Sequence, residues 1–244
     1  MKRVLLLSRR NIIETLKDYV SLIFIVGLPI IMLVLMQILF GDIPEASMFE
    51  ITNYAPGICV FGYAFCMLYI GVNMAQDKES AFMLRISVSP VTKKEYLLSY
   101  ILYSFPIMLC QTILFYIVSL FFGLTLDGKF FLSIIMLIPS MIFFSSCGVF
   151  LGTIAKSEKQ VGPISSMLVT GVGIMGGVFM PIETISGGFL TVCKILPFYN
   201  GVNLAKCAFS SLSVDNFINF LVIFGWSILL FIISLLVFVK KNKK

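Results

Sequence analysis

The amino-acid sequence alternates between long apolar runs and short polar stretches. Six runs contain no Asp, Glu, Lys or Arg, and each approaches or exceeds the roughly 20 residues that a helix needs to cross a bilayer. They cover residues 20–40, 53–76, 97–122, 130–155, 160–181 and 216–239. A helix satisfies its backbone hydrogen bonds within one segment, so helices are the elements expected in lipid. The pattern predicts an all-α integral membrane protein with six transmembrane helices in a single domain over residues 1–244.

The composition supports a location in lipid rather than in water. Hydrophobic residues make up 59% of the chain and charged residues only 12%, with a mean hydropathy of +1.03, whereas a soluble domain is about one quarter charged. A cleaved signal peptide is the competing interpretation of residues 2–40. The apolar part of that stretch is too long and no small-residue cleavage site follows it, so we expect a retained first span.

The positive charge is distributed unevenly between the predicted loops. A net charge of +6 would suggest nucleic acid as the partner of a soluble protein, but here it indicates sidedness. With both termini in the cytoplasm, 15 of the 18 basic residues lie inside, and only Lys129, Lys194 and Lys206 lie outside. Positively charged loops stay in the cytoplasm. We therefore expect a multi-pass protein of the bacterial plasma membrane with both termini cytoplasmic and no nucleic-acid partner.

The sequence lacks the residues that most chemistry needs. It has no histidine, the commonest general base and metal ligand, and its six cysteines form no metal-binding pattern. We expect no catalytic residues, no metal site and no enzyme activity. The apolar runs also lack the ionisable residues of ion-coupled transporters. Hydrogen bonding between helices is a better interpretation of Gln37, Asn73 and Gln111 than contact with a ligand.

One stretch nearly matches a nucleotide-binding loop. The sequence GLTLDGKF at residues 123–130 approaches the pattern G-x-x-x-x-G-K-[ST], but Phe130 replaces the hydroxyl residue that holds magnesium, and no strand precedes it. A turn between two spans is the better interpretation, with Asp127 and Gly128 supplying the turn chemistry. If the protein moves a substrate uphill, the energy must come from a partner.

A charged segment separates the second and third apolar runs. It reads QDKESAFMLRISVSPVTKKEYLLS over residues 76–99. Residues 81–86 predict a short helix with Phe82 and Ile86 on one face. The Ser89-Pro90 step should end it, and Thr92 with Glu95 predicts the capping box of the next helix. From this pattern alone, a solvated inner loop that only fixes the topology is an equal interpretation.

Two sequence segments resemble the type-2 (export) class of ABC transporter permeases, known as ABC-2. The first is ESAFMLRISVSPVTKKEYLLSYIL, and its matched positions are Glu79, Arg85, Ser89, Pro90, Val91, Lys93, Glu95 and Leu97. Ala81-Phe82 departs from the family, which usually has Gly-Thr there. The second is GGVFMPIETISGGFLTVCKILPFYNGVNLAK, matched at Gly177, Phe179, Pro181, Leu196-Pro197 and Tyr199. Leu196 stands where the family often has Asn.

The resemblance implies a set of partners. Such permeases work in pairs with two cytoplasmic ATPase subunits, so the expected partners are an ABC ATPase, a second permease copy or homologue, and membrane lipid. ATP and Mg would lie on the ATPase, and this chain would bind no cofactor. The implied function is the permease subunit of an ATP-driven exporter that moves an amphipathic or lipid-like substrate, such as a drug or peptide antibiotic, out of the cell.

The resemblance also implies roles for particular residues. The segment between spans two and three would be the coupling helix that docks on the ATPase, formed by Glu79, Phe82, Arg85, Ser89 and Pro90. Short re-entrant helices between spans five and six would form an outer gate, formed by Gly177, Phe179, Pro181, Pro197 and Tyr199.

The first residues predict an amphipathic interfacial helix, which the family also has. One face would carry Leu5, Ile12, Leu16 and Tyr19, and the opposite face Arg3, Arg10, Glu14 and Lys17. An ordinary basic flank that anchors the first span is the alternative.

Two other function classes remain open on the sequence. A channel or facilitator would give flux that survives ATP depletion and would purify without an ATPase. A membrane immunity or scaffold protein would show no nucleotide-dependent phenotype.

Overall fold

The structure is a computed structural model that describes residues 2–41, 43, 47–182, 188–210 and 214–241. Within these residues the regular elements are helices and no strand occurs, as the sequence predicts. The helices are α1 (Lys2–Lys17), α2 (Tyr19–Leu22), α3 (Leu28–Phe40), α4 (Ile51–Glu79), α5 (Ala81–Ser87), α6 (Lys93–Leu120), α7 (Gly128–Met136), α8 (Ile138–Ile154), α9 (Glu158–Met175), α10 (Gly188–Ile195), α11 (Pro197–Lys206) and α12 (Val214–Lys241). A π-helical turn, Ile23–Gly27, joins α2 to α3.

Five helical stretches in the described part of the chain are long and apolar enough to cross a membrane. They are Tyr19–Phe40, Ile51–Glu79, Lys93–Leu120, Gly128–Ile154 and Asn216–Lys240. These correspond to the predicted first, second, third, fourth and sixth spans.

The predicted fifth span is shorter than residues 160–181. Helix α9 has 18 residues, begins with Glu158 and Lys159, and ends at Met175. The chain stops being helical there because Gly177 adopts a left-handed backbone conformation with φ of +69°, which glycine takes without steric cost. Early termination and the polar first turn explain why α9 is not among the five stretches that are long and apolar enough to cross a membrane.

Helix α4 lies at the centre of the bundle and packs against α6, α8, α9 and α11. Glycines bring its neighbours close. A Cβ atom added at Gly148 of α8 would lie 2.7 Å from the Met67 carbonyl oxygen and 2.8 Å from the Ile70 Cβ. Small residues permit such close backbone approach between membrane helices. Much of Tyr19–Phe40 and of α12 is instead exposed apolar surface at the edge of the bundle.

Helix α1 packs on α6 through a small polar face that the sequence analysis did not identify. Ser8, Asn11 and Thr15 are buried, and the Ser8 hydroxyl donates a hydrogen bond of 3.1 Å to the Ser99 carbonyl. Leu5 and Leu16 are exposed, in keeping with a predicted apolar face toward lipid. Arg10, predicted on the polar face opposite these leucines, turns toward α4 and binds Asp77.

Gln111 joins three apolar helical segments, so its predicted role between helices is confirmed. Its Nε2 donates a 3.1 Å hydrogen bond to the Ile25 carbonyl in the π-helical turn. The Cys66 thiol of α4 donates to its Oε1 at 3.2 Å. Gln37 likewise bonds outside its own helix, to the Phe49 carbonyl at 2.6 Å.

Helix α1 and the last turns of α12 lie at the same end of the bundle, which we call the terminal end. The Arg3 Nη1 donates to the Pro90 carbonyl at 2.6 Å, and the Lys93 ammonium donates to the Val239 carbonyl at 3.3 Å. Helices α10 and α11 connect α9 to α12, and α11 packs on α4 and α12.

Candidate functional site

Segment 79–90 forms a short capped helix at the terminal end. The Ser80 hydroxyl accepts a hydrogen bond of 3.2 Å from the Phe82 backbone N–H and caps α5. After α5, the Ser89 hydroxyl donates to the Ile86 carbonyl at 2.8 Å. Thr92 and Glu95 then form the predicted capping box of α6. The predicted order of elements, a short helix that stops before a new helix begins, is therefore confirmed.

The residues predicted to couple to an ATPase are not all presented to the outside. Glu79, Arg85 and Pro90 are exposed, whereas Phe82 and Ser89 are half-buried. Two apolar side chains that the sequence analysis left out are strongly exposed beside them, Leu84 at 73% and Val88 at 89%. The outward surface of α5 and its C-terminal turn thus mixes charge with apolar area.

Phe82 instead contacts a polar cluster beneath α5. The guanidinium carbon of Arg10 lies 3.6 Å from the centre of the Phe82 ring, a cation–π arrangement. Arg10 also binds Asp77, with Nη1 to Oδ2 at 3.0 Å and Nη2 to Oδ1 at 2.9 Å. The Tyr100 hydroxyl of α6 donates to the same carboxylate. One cluster therefore joins α1, α4, α5 and α6.

The electrostatics keep this cluster charged at Arg10. Burial lowers the pKa of Arg10, but the hydrogen bonds and negative charge of Asp77 and the charge of Glu14 outweigh it, so this pKa is raised above its ordinary value. The Arg10 Nε also pairs with the exposed Glu14 at 2.9 Å. Sequence analysis missed the pair because Asp77 looks like an ordinary charge flanking an apolar run and Arg10 like a charge on the polar face of an amphipathic helix.

Basic residues at the terminal end also bind the last carbonyls of helices. The Lys78 ammonium donates to the Ala155 carbonyl at 2.6 Å and to the Thr153 carbonyl at 3.3 Å, at the C-terminus of α8. Lys93 does the same for α12 at Val239. Cations are favourable at helix C-termini, where carbonyls lack helical partners. These contacts hold the ends of the spans together around α5.

A polar pocket of about 260 Å³ lies next to the cluster, between α1 and α4. We call it the carboxylate pocket. Its lining residues are polar or tyrosine, namely Arg10, Asn11, Glu14, Asp18, Tyr69, Asn73, Gln76, Asp77 and Tyr100. Among the described residues no group of three or more His, Cys, Asp or Glu side chains is arranged to hold a metal ion.

A second cavity of about 240 Å³ lies at the opposite end of the bundle. Three residues predicted for an outer gate, Gly177, Pro181 and Tyr199, line it together. Phe179 instead packs edge-to-face on Phe61, with ring centres 4.9 Å apart, and Pro197 is buried in the first turn of α11. The structure thus brings three of the predicted gate residues around one cavity and leaves two in packing positions.

The junction between α10 and α11 is fixed by an amide that the sequence analysis did not single out. The Asn200 Nδ2 donates to the Leu196 carbonyl at 2.6 Å and to the Lys194 carbonyl at 2.8 Å. Asn200 lies on the cavity-lining helix α11, one residue after Tyr199. An asparagine three residues after the Leu196-Pro197 step is the sequence signal that could have found it.

Comparison with known proteins gives one family. A sequence model described as ABC-2 type transporter matches residues 2–209 of the 244 in the chain. The match includes α1, segment 79–90, the carboxylate pocket and the cavity at the opposite end, and it stops before α12. No curated protein matches the chain.

Proposed function

The chain belongs to the ABC-2 type transporter family as a membrane permease subunit, and from this premise we propose that it exports an amphipathic or lipid-like substrate with energy from a separate ATPase. The ATPase would bind ATP and Mg and would dock on segment 79–90. The bacterial plasma membrane is the proposed location.

The observation that carries this proposal is the outward surface of α5. Leu84 and Val88 expose apolar side chains beside the exposed charges of Glu79 and Arg85. Exposed apolar area with a charged rim is typical of a protein interaction surface. Beneath that surface, Phe82 contacts Arg10 and the Asp77 cluster joins three further helices. A force on α5 would therefore be transmitted to α1, α4 and α6.

We propose six membrane crossings, with α9 as the fifth. The 18 residues of α9 rise about 27 Å, close to the roughly 30 Å of the hydrocarbon core. Val161 packs with Ala75 near the terminal end of α4. Gly173 lies against Phe61, about two thirds of the way along α4 from that end. Since α1 and the last turns of α12 lie at one end, the chain between them crosses an even number of times, which supports α9 as a crossing.

The terminal end is proposed to face the cytoplasm, as the charge distribution indicates. A cysteine-free variant with Ser47→Cys should react with a membrane-impermeant maleimide added to intact cells. A matched Lys94→Cys variant should react only after the cells are opened, because Lys94 is exposed at the terminal end. Labelling of Lys94→Cys but not Ser47→Cys in intact cells would reverse the proposed orientation.

The exposed face of α9 supports pairing of two permeases around a path. Ser166 and Thr170 are exposed on this apolar helix, and a Cβ added at Gly171 would meet no heavy atom within 4 Å. Polar and small residues on a membrane helix favour contact with protein or a water-filled path over contact with lipid. We assign this face of α9 to the interior between two copies of the permease. We also propose that the cavity lined by Gly177, Pro181 and Tyr199 is the outer gate, with α10 and α11 as the re-entrant helices beside it.

The coupling role is tested by purification from native membranes. Glu79→Ala, Arg85→Ala and Pro90→Ala should each reach the membrane at near normal levels, because exposed substitutions usually change stability by less than about 0.5 kcal/mol. The ATP hydrolysis that co-purifies with the tagged chain should fall about threefold to tenfold, as expected when a charge at the rim of an interface is removed or the docking helix is re-aimed.

Matched controls come from the exposed first turn of α9. Glu158→Ala and Lys159→Ala remove an exposed charge of each sign outside segment 79–90, and both should retain full co-purifying hydrolysis. Normal co-purifying hydrolysis in all three test variants would show that segment 79–90 is only a solvated loop without a coupling role. Flux that survives ATP depletion would support the channel alternative instead.

A further inference from the structure

The carboxylate pocket carries more negative than positive charge. Its lining includes one guanidinium, Arg10, and the carboxylates of Glu14, Asp18 and Asp77. Arg10 uses Nη1 and Nη2 on Asp77 and Nε on Glu14. Asp18 is not paired with Arg10 and instead accepts hydrogen bonds from the Ser21 backbone N–H and hydroxyl at 3.1 and 2.5 Å. These bonds lower the pKa of Asp18, so it stays ionised at neutral pH.

The side chain of Asn11, a buried residue of the same pocket, has no hydrogen-bond partner among the residues that the structure describes. Asn11 is only 5% exposed and lines the pocket, yet its side chain makes no hydrogen bond to any residue in the described part of the chain. The Asn11 amide is therefore positioned to bond with an occupant of the pocket.

The chemistry of the lining selects a class of ligand. Carboxylate and amide oxygens accept hydrogen bonds, so a cation with N–H donors satisfies both the charge and the amide. The acidic side chains are not grouped closely enough to hold a metal ion in the described structure. The pocket volume of about 260 Å³ leaves room for a small organic ammonium group.

Apolar surface begins immediately beside this pocket. Tyr19, Val20 and Phe24 follow Asp18 in the chain and are 74%, 66% and 56% exposed. Asp18 precedes the first span, so the pocket lies at the level of lipid headgroups. An apolar tail attached to the ammonium group would lie along these side chains.

We infer that the carboxylate pocket binds the primary ammonium group of an amphiphile through Glu14, Asp18 and Asn11, with its tail along the start of the first span. This binding inference adds a substrate class to the proposed function. It rests on that function for the direction of transport, because the pocket would hold a substrate on the cytoplasmic side. The ammonium group belongs either to an ethanolamine phospholipid or to another amphipathic amine.

The test is equilibrium binding of radiolabelled dodecylamine to the full chain in phosphatidylcholine nanodiscs, after subtraction of binding to empty discs. Glu14→Gln and Asp18→Asn should each weaken binding about tenfold, as the loss of one charge-assisted contact does. Asp18→Asn keeps a good helix cap, and Asn11→Leu provides a third variant that changes no charge. Glu158→Gln, which removes an exposed carboxylate elsewhere, should bind like the unmodified chain.

Two results would overturn the inference. One is equal affinity in Glu14→Gln, Asp18→Asn and Glu158→Gln. The other is competition by dodecanol as effective as that by unlabelled dodecylamine, because dodecanol has the same tail without the charge. Either result would show that only the apolar tail is recognised.

Replacing phosphatidylcholine by phosphatidylethanolamine distinguishes the two sources. A severalfold loss of apparent dodecylamine affinity identifies the lipid headgroup as a competing occupant, and unchanged affinity identifies a non-lipid amine. The assay contains no ATPase and measures no transport. Failure of the proposed export function would therefore leave this binding intact, and failure of binding would leave the coupling experiment unaffected.

Discussion

Asp77→Asn is expected to lower the free energy of unfolding by about 2 to 4 kcal/mol, because removing one partner of a buried ion pair leaves the other charge uncompensated. Asp77 is 8% exposed and binds both Arg10 and Tyr100. The side chain of Arg10 is 30% exposed, which keeps the loss toward the lower part of that range. The measurement is denaturant unfolding of the purified chain in micelles, together with hydrogen exchange of α1, which should become faster.

A neighbouring carboxylate provides the matched control. Glu14→Gln removes the other ion pair of Arg10, which is largely exposed, so it should cost less than about 1 kcal/mol. The double variant Arg10→Gln, Asp77→Asn should be more stable than the sum of the single losses predicts. Equal stability of Asp77→Asn and Glu14→Gln would show that the cluster does not fasten α1 to the bundle.

Gly148→Ala is expected to destabilise the contact between α4 and α8 by about 1 to 3 kcal/mol, the usual cost of overpacking a well-packed interior. The added methyl group would meet the Met67 carbonyl oxygen at 2.7 Å and the Ile70 Cβ at 2.8 Å. Both are close to the backbone of α4, so a side-chain rotation cannot relieve the clash. The same unfolding experiment measures the loss.

The control for this substitution is Gly171→Ala on α9. It introduces the same methyl group where no heavy atom lies within 4 Å. Alanine favours a helix over glycine by about 1 kcal/mol, so this variant should be as stable as the unmodified chain or slightly more stable. Comparable destabilisation by both substitutions would mean that glycine at position 148 serves no packing role.

Local sequence patterns predicted most of the helices. The runs that became α4, α6 and α12 are long and uncharged, and hydrophobicity alone decides their conformation in lipid. Thr92 and Glu95 predicted the start of α6 because a capping box depends only on residues three apart. The end of α9 was predicted too late, because hydropathy averages over the Gly176-Gly177 pair that stops the helix.

The candidate sites depended on contacts that no local pattern contains. Arg10 and Asp77 are 67 positions apart, and they meet because α1 packs against α6, where Ser8 bonds to the Ser99 carbonyl. The sequence analysis assigned Phe82 to the docking surface, yet its ring faces Arg10. Gly177, Pro181 and Tyr199 were proposed together from family resemblance, and their common cavity requires α11 to fold back against α4.

The lysine contacts at the terminal end have a consequence for charge-shift experiments on membrane insertion. Such experiments replace basic residues and attribute any altered orientation to the translocation machinery. Lys78 and Lys93 also clamp the last carbonyls of α8 and α12, so neutralising them would loosen the mature bundle as well. Lys94 and Lys159 are exposed, and their ammonium groups make no hydrogen bond or ion pair within the described residues. Substitution at Lys94 and Lys159 would therefore test how basic residues orient the nascent chain without weakening contacts in the folded protein.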